Sequence, residues 1–404
     1  MREFSKTFLY PALLLAANVG PAQAKPTNAL RRGLRARDNG WKYNPEKHDG
    51  PRENASWNPW RYDPKKHDGP KGNAGSSQSK CAPISGDITI DAFQLYPEHA
   101  DYNPDTCLAY LSVLYNSTVA VYDPAKKAVV DTLEFPGLSF NPALHVSGVV
   151  VDPKGLLSVI VDAGAAFDTQ GQNISGENFL LKVDPKSREV LWRRNLTDPN
   201  GLYGGYQDAA HDDEGNTFAL GTYPSSIIKV NEDGTTATPW YLQPNPDHTI
   251  HGLTGFAVNG DTLLSTDGSD GQLYRFNMKD QAGKKVLVPL TGNKANSTKI
   301  GNDVDGIILP PRFDGKVLLV SDNSEGTVVL RSRDGWASAE RLGSVPNKYL
   351  SESGSSVDNV QIGESLYSVI EYFMDSEKVP GTLGGNRSKF PLVDITEEVL
   401  RLLN

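Results

Sequence analysis

The acidic and amide side chains of this 404-residue chain gather where short apolar runs begin. Asn302, Asp303 and Asp305 are the densest such group. Asp303 and Asp305 point the same way if the segment is extended, because side chains alternate along a strand. Asp358 stands at a matching place ahead of a later apolar run. Carboxylates and amide oxygens that converge in a concavity hold hard cations, so Asn302, Asp303, Asp305 and Asp358 are the candidate metal ligands. Ca²⁺ is the cofactor such a set would take, and no other cofactor is called for. A structural role competes for each of these carboxylates, since aspartate at a strand end often bonds its own backbone and caps a turn.

His145, Ser147, Gln207, Asp208, His251 and Thr254 occupy corresponding places beside other apolar runs. With Asp303, Asp305 and Asp358 they form the candidate ligand-binding set. His145 and His251 are expected to face one another as acid–base groups, whereas His211, one residue before a turn, reads as structural. No catalytic residue is assigned. The chain has no G-x-S-x-G, P-loop, dinucleotide fingerprint or H-E-x-x-H, which leaves the corresponding hydrolases, kinases and Rossmann enzymes without support.

The elements that must position these residues are short strands. From Asp305 to Leu309, Val317 to Val320 and Thr327 to Leu330, apolar runs are separated by Asp314-Gly315 and by the turn Asn323–Gly326, a pattern of antiparallel strands. The same pattern opens at Ser147, Gln207, Thr254 and Ser356. Leu108–Tyr115, Thr118–Tyr122 and Ala128–Leu133 form a three-strand meander preceded by a polar loop. Openings recur roughly every 45–60 residues, the period of a four-stranded propeller blade. The expected fold is all-β, a six-bladed β-propeller over residues 81–404, with the solitary strand Ile88–Phe93 completing the last blade. A β-sandwich is the competing architecture. In a propeller the start of strand one and the end of strand two share a face, so Asp162, Thr222, Asp267, Asp322 and Glu371 join the openings at a polar, mostly acidic channel mouth.

The N-terminal part has another character. Residues 1–24 read as a secretory signal, with Arg2 and Lys6 before an apolar stretch and Ala22-Gln23-Ala24 as the cleavage site. Residues 25–80 carry a dibasic Arg31-Arg32 and a tandem repeat, Trp41-Lys-Tyr-Asn-Pro followed by Trp60-Arg-Tyr-Asp-Pro. Rich in proline, glycine and charge, they are expected to be a disordered pro-segment and linker. The two cysteines, Cys81 and Cys107, are most simply one disulfide in an oxidising compartment. Sequons at Asn54, Asn116, Asn173, Asn195, Asn296 and Asn386 fit a secreted glycoprotein. A net charge of −9 argues against a nucleic-acid partner. No transmembrane segment follows the signal, and a monomer is expected.

Cys81-Ala-Pro, Asp105-Thr-Cys107, Tyr115-Asn-Ser-Thr-Val-Ala-Val-Tyr122, His145-Val-Ser-Gly148 and Asp303-Val-Asp305-Gly306 resemble a family of secreted fungal propellers. That family includes the core trichothecene cluster protein 14 and a skin-yeast propeller allergen, and the likeness covers roughly residues 81–400. It implies a six-bladed, secreted propeller associated with secondary metabolism of the trichothecene type or with virulence, and carries over no catalytic residue. The reading favoured is a secreted propeller that binds a small or lipid-like ligand in its central channel. The alternatives are an enzyme on the acidic face, either a metal-dependent lactonase or a terpenoid or polyketide cyclase, and an extracellular interaction module.

Overall fold

The computed structural model describes residues 81–291, 299–375 and 377–404. The expected signal, the repeat-bearing arm and the sequons Asn54 and Asn296 lie outside those residues. After a first strand β1 (Ile88–Asp91), blade 1 holds β2 (Ala100–Asn103), β3 (Leu108–Val113), β4 (Thr118–Asp123) and β5 (Ala128–Leu133). Blade 2 holds β6 (Leu144–Val151), β7 (Leu157–Ala163), β8 (Phe179–Asp184) and β9 (Glu189–Asn195). Blade 3 holds β10 (Gly204–His211), β11 (Thr217–Tyr223), β12 (Ser226–Val230) and β13 (Ala237–Leu242). Blade 4 holds β14 (Leu253–Asn259), β15 (Thr262–Asp267), β16 (Gln272–Asn277) and β17 (Val286–Leu287).

Blade 5 gains a short strand, β18 (Leu290–Thr291), which runs parallel to the outer strand of β19 (Val304–Ile308), β20 (Val317–Asp322), β21 (Gly326–Arg331) and β22 (Ala339–Pro346). Blade 6 holds β23 (Ser355–Ile362), β24 (Ser365–Glu371) and β25 (Lys389–Asp394), and β1 is its outer strand, Ile88 opposite Leu392 and Asp91 opposite Lys389. The solitary N-terminal strand thus closes the ring, as its sequence position requires.

Burial follows place within the blade. Second strands such as β7 and β11 are covered on both faces by neighbouring blades and are buried throughout, so they read as continuous apolar runs. Outer strands have one wet face, and β9 alternates exposed and covered residues along its length. The core lies between sheets: Tyr110 and Val121 of blade 1 pack against Val146, Val159 and Leu181 of blade 2. Turns on the face away from the mouth are held by the last residue of strand one or its neighbour. Asp152 Oδ1, for example, accepts from the amides of Lys154 and Leu156 at 2.8 and 2.9 Å.

Strand β2 departs from expectation. The stretch before Leu108 reads as a polar loop, yet Ala100–Asn103 pairs with Leu108–Leu111 as the innermost strand of blade 1. A four-residue strand with two polar side chains is too short for its apolar alternation to register. Cys107 ends the turn after it and is bonded to Cys81, with Cα atoms 5.4 Å apart, which ties the chain's approach to blade 1. No helix among the described residues is long and apolar enough to cross a membrane.

Candidate functional site

Five first strands are bulged at the same level. The breaks fall between Val146 and Gly148, Tyr206 and Asp208, Leu253 and Phe256, Val304 and Ile307, and Ser356 and Asp358. A bulge adds one residue to a strand and re-aims its side chain. The residues it frees bond within their blade or to the next one. Ser147 Oγ donates to Asp162 Oδ1 at 2.5 Å. Gln207 donates to the carbonyl of Thr254 in the next blade. Thr254 Oγ1 donates in turn to the carbonyl of Asp305, at 3.1 Å.

One step further on, blades 2, 4 and 5 carry Gly148, Gly255 and Gly306. A β-carbon on Gly148 would lie 2.4 Å from the Gln207 carbonyl oxygen, one on Gly255 2.8 Å from the amide of Ile307, and one on Gly306 2.7 Å from Asp358 Oδ1. The inner strands are therefore too close for any larger residue. Blades 3 and 6 carry Asp208 and Asp358 at this level, and blade 1 carries His99, just ahead of β2. His99 Nε2 lies 3.4 Å from Asp208 Oδ1, and Nδ1 lies 3.6 Å from Asp358 Oδ2, with the imidazole side chain 12% exposed.

Burial alone would lower the basicity of His99, but the carboxyls of Asp358 and Asp208 outweigh it and raise its pKa to about 10. Burial raises Asp358 to about 6 against the pull of His99 and of the Ala100 amide, which donates to Asp358 Oδ2 at 3.0 Å. Asp208 accepts from the amides of Phe256 and Ala209, both at 2.6 Å. His99 thus sits as a cation between two carboxyls that also pin neighbouring blades.

Above this level lie carboxyls that, among the described residues, form no ion pair. Glu98, the neighbour of His99, keeps Oε2 buried without a hydrogen-bond partner, and Glu371 keeps both carboxyl oxygens so. Glu371, at the end of β24, is fully buried. Burial, reinforced by Asp305 and Glu371, pushes Glu98 well above the glutamate range, and burial does the same to Glu371. Asp305 is driven up to about 8 by burial, against a hydrogen bond from Asn323 Nδ2 to its Oδ2 at 3.2 Å. Tyr115 completes the group. Its phenol is pushed up by burial and by Glu371 and Glu98, and its ring packs edge-on to Tyr96 and to His145.

The two histidines expected to face one another each rest on a tyrosine instead. His145 meets Tyr115 edge-on, and His251 stacks on Tyr223 with centroids 5.5 Å apart. Burial lowers the pKa of both. His211 accepts or donates at 2.8 Å with Ser158 Oγ, inside a buried group in which Lys182 Nζ donates to Asp152 at 2.9 Å. Asp322 and Asp267 cap turns: Asp322 Oδ1 accepts from the Ser324 and Glu325 amides, and Asp267 Oδ1 from the Ser269 amide at 2.9 Å. Asp162 does not, and burial raises it to about 8 despite the bond from Ser147.

Of the candidate metal ligands, Asn302 and Asp303 are exposed, and their amides donate to Asp322 Oδ2 at 2.8 and 3.1 Å. Asp305 is half-buried and Asp358 is fully buried against His99. Asp305 feels both Asp303 and Asp358. No three His, Cys, Asp or Glu among the described residues are grouped so as to hold a metal ion, and the donors present do not fit a Ca²⁺ cage. Among the sequons, Asn173, Asn195 and Asn386 are exposed and Asn116 is half-buried in the β3–β4 turn. Glu98, His99 and Tyr115 are absent from the sequence-derived set. Their signal was the missing inner strand, because every other blade pattern has an opener and the meander at Leu108 has none.

Beside the mouth on the blade 6 side is an opening of about 500 Å³ lined by Met374, Asp375, Glu377, Asn386, Arg387, Ser388 and Lys389. Arg387 is bidentate to Asp375, which also accepts from the Tyr96 hydroxyl at 3.2 Å. Arg387 and Asp375 there satisfy one another, whereas Glu98 and Glu371 keep oxygens without a partner.

Residues 76–354 match the family model described as Mal s 1 allergenic protein-like. The chain is 34% identical over 340 residues to trichothecene biosynthesis protein 14 of Trichoderma arundinaceum, covering 79% of this chain and 90% of that relative. It is 34% identical over 342 residues to core trichothecene cluster protein 14 of Fusarium sporotrichioides, covering 80% and 88%. The crystal structure of the major allergen Mala s 1 of Malassezia sympodialis superposes with a TM-score of 0.66 at 20% identity, over 77% of this chain and 96% of that one. At that identity the likeness speaks for the propeller fold.

Proposed function

The chain belongs to the Mal s 1 allergenic protein-like family, and from that premise we propose a secreted propeller of fungal secondary metabolism or host interaction that takes a small or lipid-like organic ligand at its channel mouth. The metabolic part is supported by one relative named for trichothecene biosynthesis and one named for the core trichothecene cluster. An extracellular setting is supported by the Cys81–Cys107 disulfide.

The observation that carries the ligand reading is the unpartnered carboxyl oxygens of Glu98 and Glu371 beside Tyr115. Buried polar atoms left without partners carry a cost of about 1–3 kcal/mol each, which a ligand bearing hydroxyl or carbonyl oxygens relieves. Protonated carboxyls both donate and accept, so they suit a neutral oxygenated molecule better than a cation. The ligand rests above His99, where the ring is closed, with the Tyr115 and Tyr223 rings as its apolar walls.

Asp305, driven up to about 8, favours a second reading, an enzyme of the cyclase kind. A carboxylic acid can give its proton to one oxygen of a bound terpenoid or polyketide and, as the carboxylate this leaves, take one back from another, and the site orients the two ends. A metal-dependent lactonase has no such support, and no step here runs through a cation.

Calorimetric titration with trichothecene-type sesquiterpenoids tests both readings. Saturable binding to the wild type, at least about tenfold weaker for Glu98→Gln/Glu371→Gln with an unchanged melt, supports the site. Equal affinity in the two proteins, or no binding by either, removes it. Mass spectrometry of the titrated ligand separates the readings: a changed product that Asp305→Asn no longer forms assigns the cyclase.

A further inference from the structure

The exposed apolar side chains of the propeller are sorted by face. Phe93, Phe140, Leu202, Ile250 and Leu350, with the adjacent Phe373 and Met374, all lie in loops of the mouth face. The remaining exposed large apolar residues, Val130, Leu191, Leu242 and Leu287, belong to outer strands. Among the described residues the loops of the opposite face carry none of them. The mouth-face set includes the three most exposed, Met374 at 63%, Phe93 at 55% and Phe140 at 53%.

The connections that bear them are β1–β2, β5–β6, β9–β10, β13–β14 and β22–β23, which join one blade to the next, and β24–β25 within blade 6. A partner able to touch most of them must be broad and level. The charges on the same loops narrow its chemistry. Exposed acids Glu134, Asp247, Glu352 and Glu377 outnumber exposed Lys348 and Lys378. Two copies stacked mouth to mouth would bring like charges together, which is costly, and an anionic membrane would repel the face in the same way. An uncharged or zwitterionic lipid surface meets the apolar rim without that penalty.

We propose that the mouth face docks reversibly on a lipid–water surface of low net charge, its apolar rim inserted shallowly and the acidic mouth turned toward the lipid. The docking does not depend on what the mouth itself binds. Isolated Phe, Met and Leu tips on separate loops match the interfacial anchoring of peripheral proteins, where depth is limited to the headgroup boundary.

Flotation of the full-length chain with phosphatidylcholine vesicles tests this. The wild type is expected to float with the vesicles, and less so as phosphatidylserine is added. Phe140→Ser/Phe373→Ser/Met374→Ser should reduce the partition coefficient by at least about tenfold, while Val130→Ser/Leu191→Ser, apolar losses on outer strands, should leave it unchanged. Both variants are first shown to melt like the wild type. The proposal is overturned if the wild type does not float, if the rim variant floats as well as the wild type, or if binding requires phosphatidylserine. It is equally overturned if light scattering finds a dimer that the rim variant abolishes, since the rim would then be a self-association surface.

Discussion

Replacing Asp162 by asparagine should stabilise the protein, by an amount that grows with pH. Asp162 is fully buried in β7, accepts from Ser147 Oγ at 2.5 Å and leaves Oδ2 without a partner. Burial raises it from 3.8 to about 8. Between those two values the unfolded chain carries a carboxylate while the folded protein must keep the acid protonated. The folded state then binds more protons than the unfolded one, so stability falls as pH rises through this window. At about 1.4 kcal/mol per pH unit, the cost at pH 7 reaches a ceiling of about 4 kcal/mol, which local relaxation reduces. Asparagine keeps an acceptor for Ser147 and has no proton to lose. Urea unfolding at intervals from pH 4 to 9 should find the two proteins similar near pH 4, a gap that widens by up to one proton's worth per unit, and a plateau above about pH 8. A gap independent of pH, or a variant less stable than the wild type at pH 7, would show that Asp162 is ionised in the fold and refute the reasoning.

Removing the disulfide with Cys81→Ser/Cys107→Ser should cost about 3 kcal/mol, from the loop entropy of a 26-residue separation, read as a lower urea midpoint with unchanged slope. Gly306→Ala should lower the melting temperature by several degrees or prevent folding, because its β-carbon would lie 2.7 Å from Asp358 Oδ1 and 2.8 Å from the Val357 carbonyl oxygen. A wild-type-like melt would mean that blades 5 and 6 can separate at the axis. His99→Gln should destabilise the ring by about 3–5 kcal/mol near neutral pH, since it strands two buried carboxyls. The stabilisation from His99 is fully present below its unfolded pKa of about 6.5 and is lost as pH rises toward its folded value of about 10, so the variant's deficit should shrink in alkali. A deficit that stays constant to pH 10 would remove the charge from the explanation.

The repeated outer architecture was legible because each blade writes the same signals. Buried second strands such as Leu157–Ala163 are continuous apolar runs, Asp152-Pro-Lys-Gly155 marks a turn, and Ile88–Asp91 has no partner nearby in sequence and so must close a ring. The centre was legible only in part. Asp305 and Asp358 were named because aspartate at a strand opening is conspicuous, and both lie near His99. Glu98 and His99 were not, because β2 is four residues long and its partner strand lies beyond the Cys107 turn. Sequence also could not separate carboxyls that cap turns from those that do not. Asp322 and Asp162 hold matching positions at the ends of second strands, but Asp322 accepts four backbone amides and Asp162 accepts none from a turn. The amides of Asn302 and Asp303 reach Asp322 from ahead of β19 and leave no trace in its local spacing.

The irregularity of the axis is what makes a site of it. A ring built from strict repeats would place six like side chains at each level, and six aspartates around one axis could not all ionise. At the His99 level the chain resolves this with three glycines, Gly148, Gly255 and Gly306, which let the strands close, and with one cation shared by Asp208 and Asp358. That level is compensated and becomes a plug. Among the described residues, the carboxyls of the level above it form no ion pair. Glu98, Asp305 and Glu371 are each raised by burial, and Glu98 and Glu371 keep oxygens without a partner. Their shift toward the protonated form follows from burial at a level that His99 does not pair. Asp305→Asn follows as a discriminating change. It should leave the His99 plug and the melt nearly intact, because the carboxyl it removes is already protonated at neutral pH and the amide can still accept from Asn323. If the mouth only binds, ligand affinity should change by no more than the worth of one hydrogen bond, about 0.5–1.5 kcal/mol. If the mouth transfers protons, turnover should fall by about 10²-fold or more while affinity holds. A variant that unfolds would place Asp305 in the scaffold and leave the ligand reading to Glu98 and Glu371.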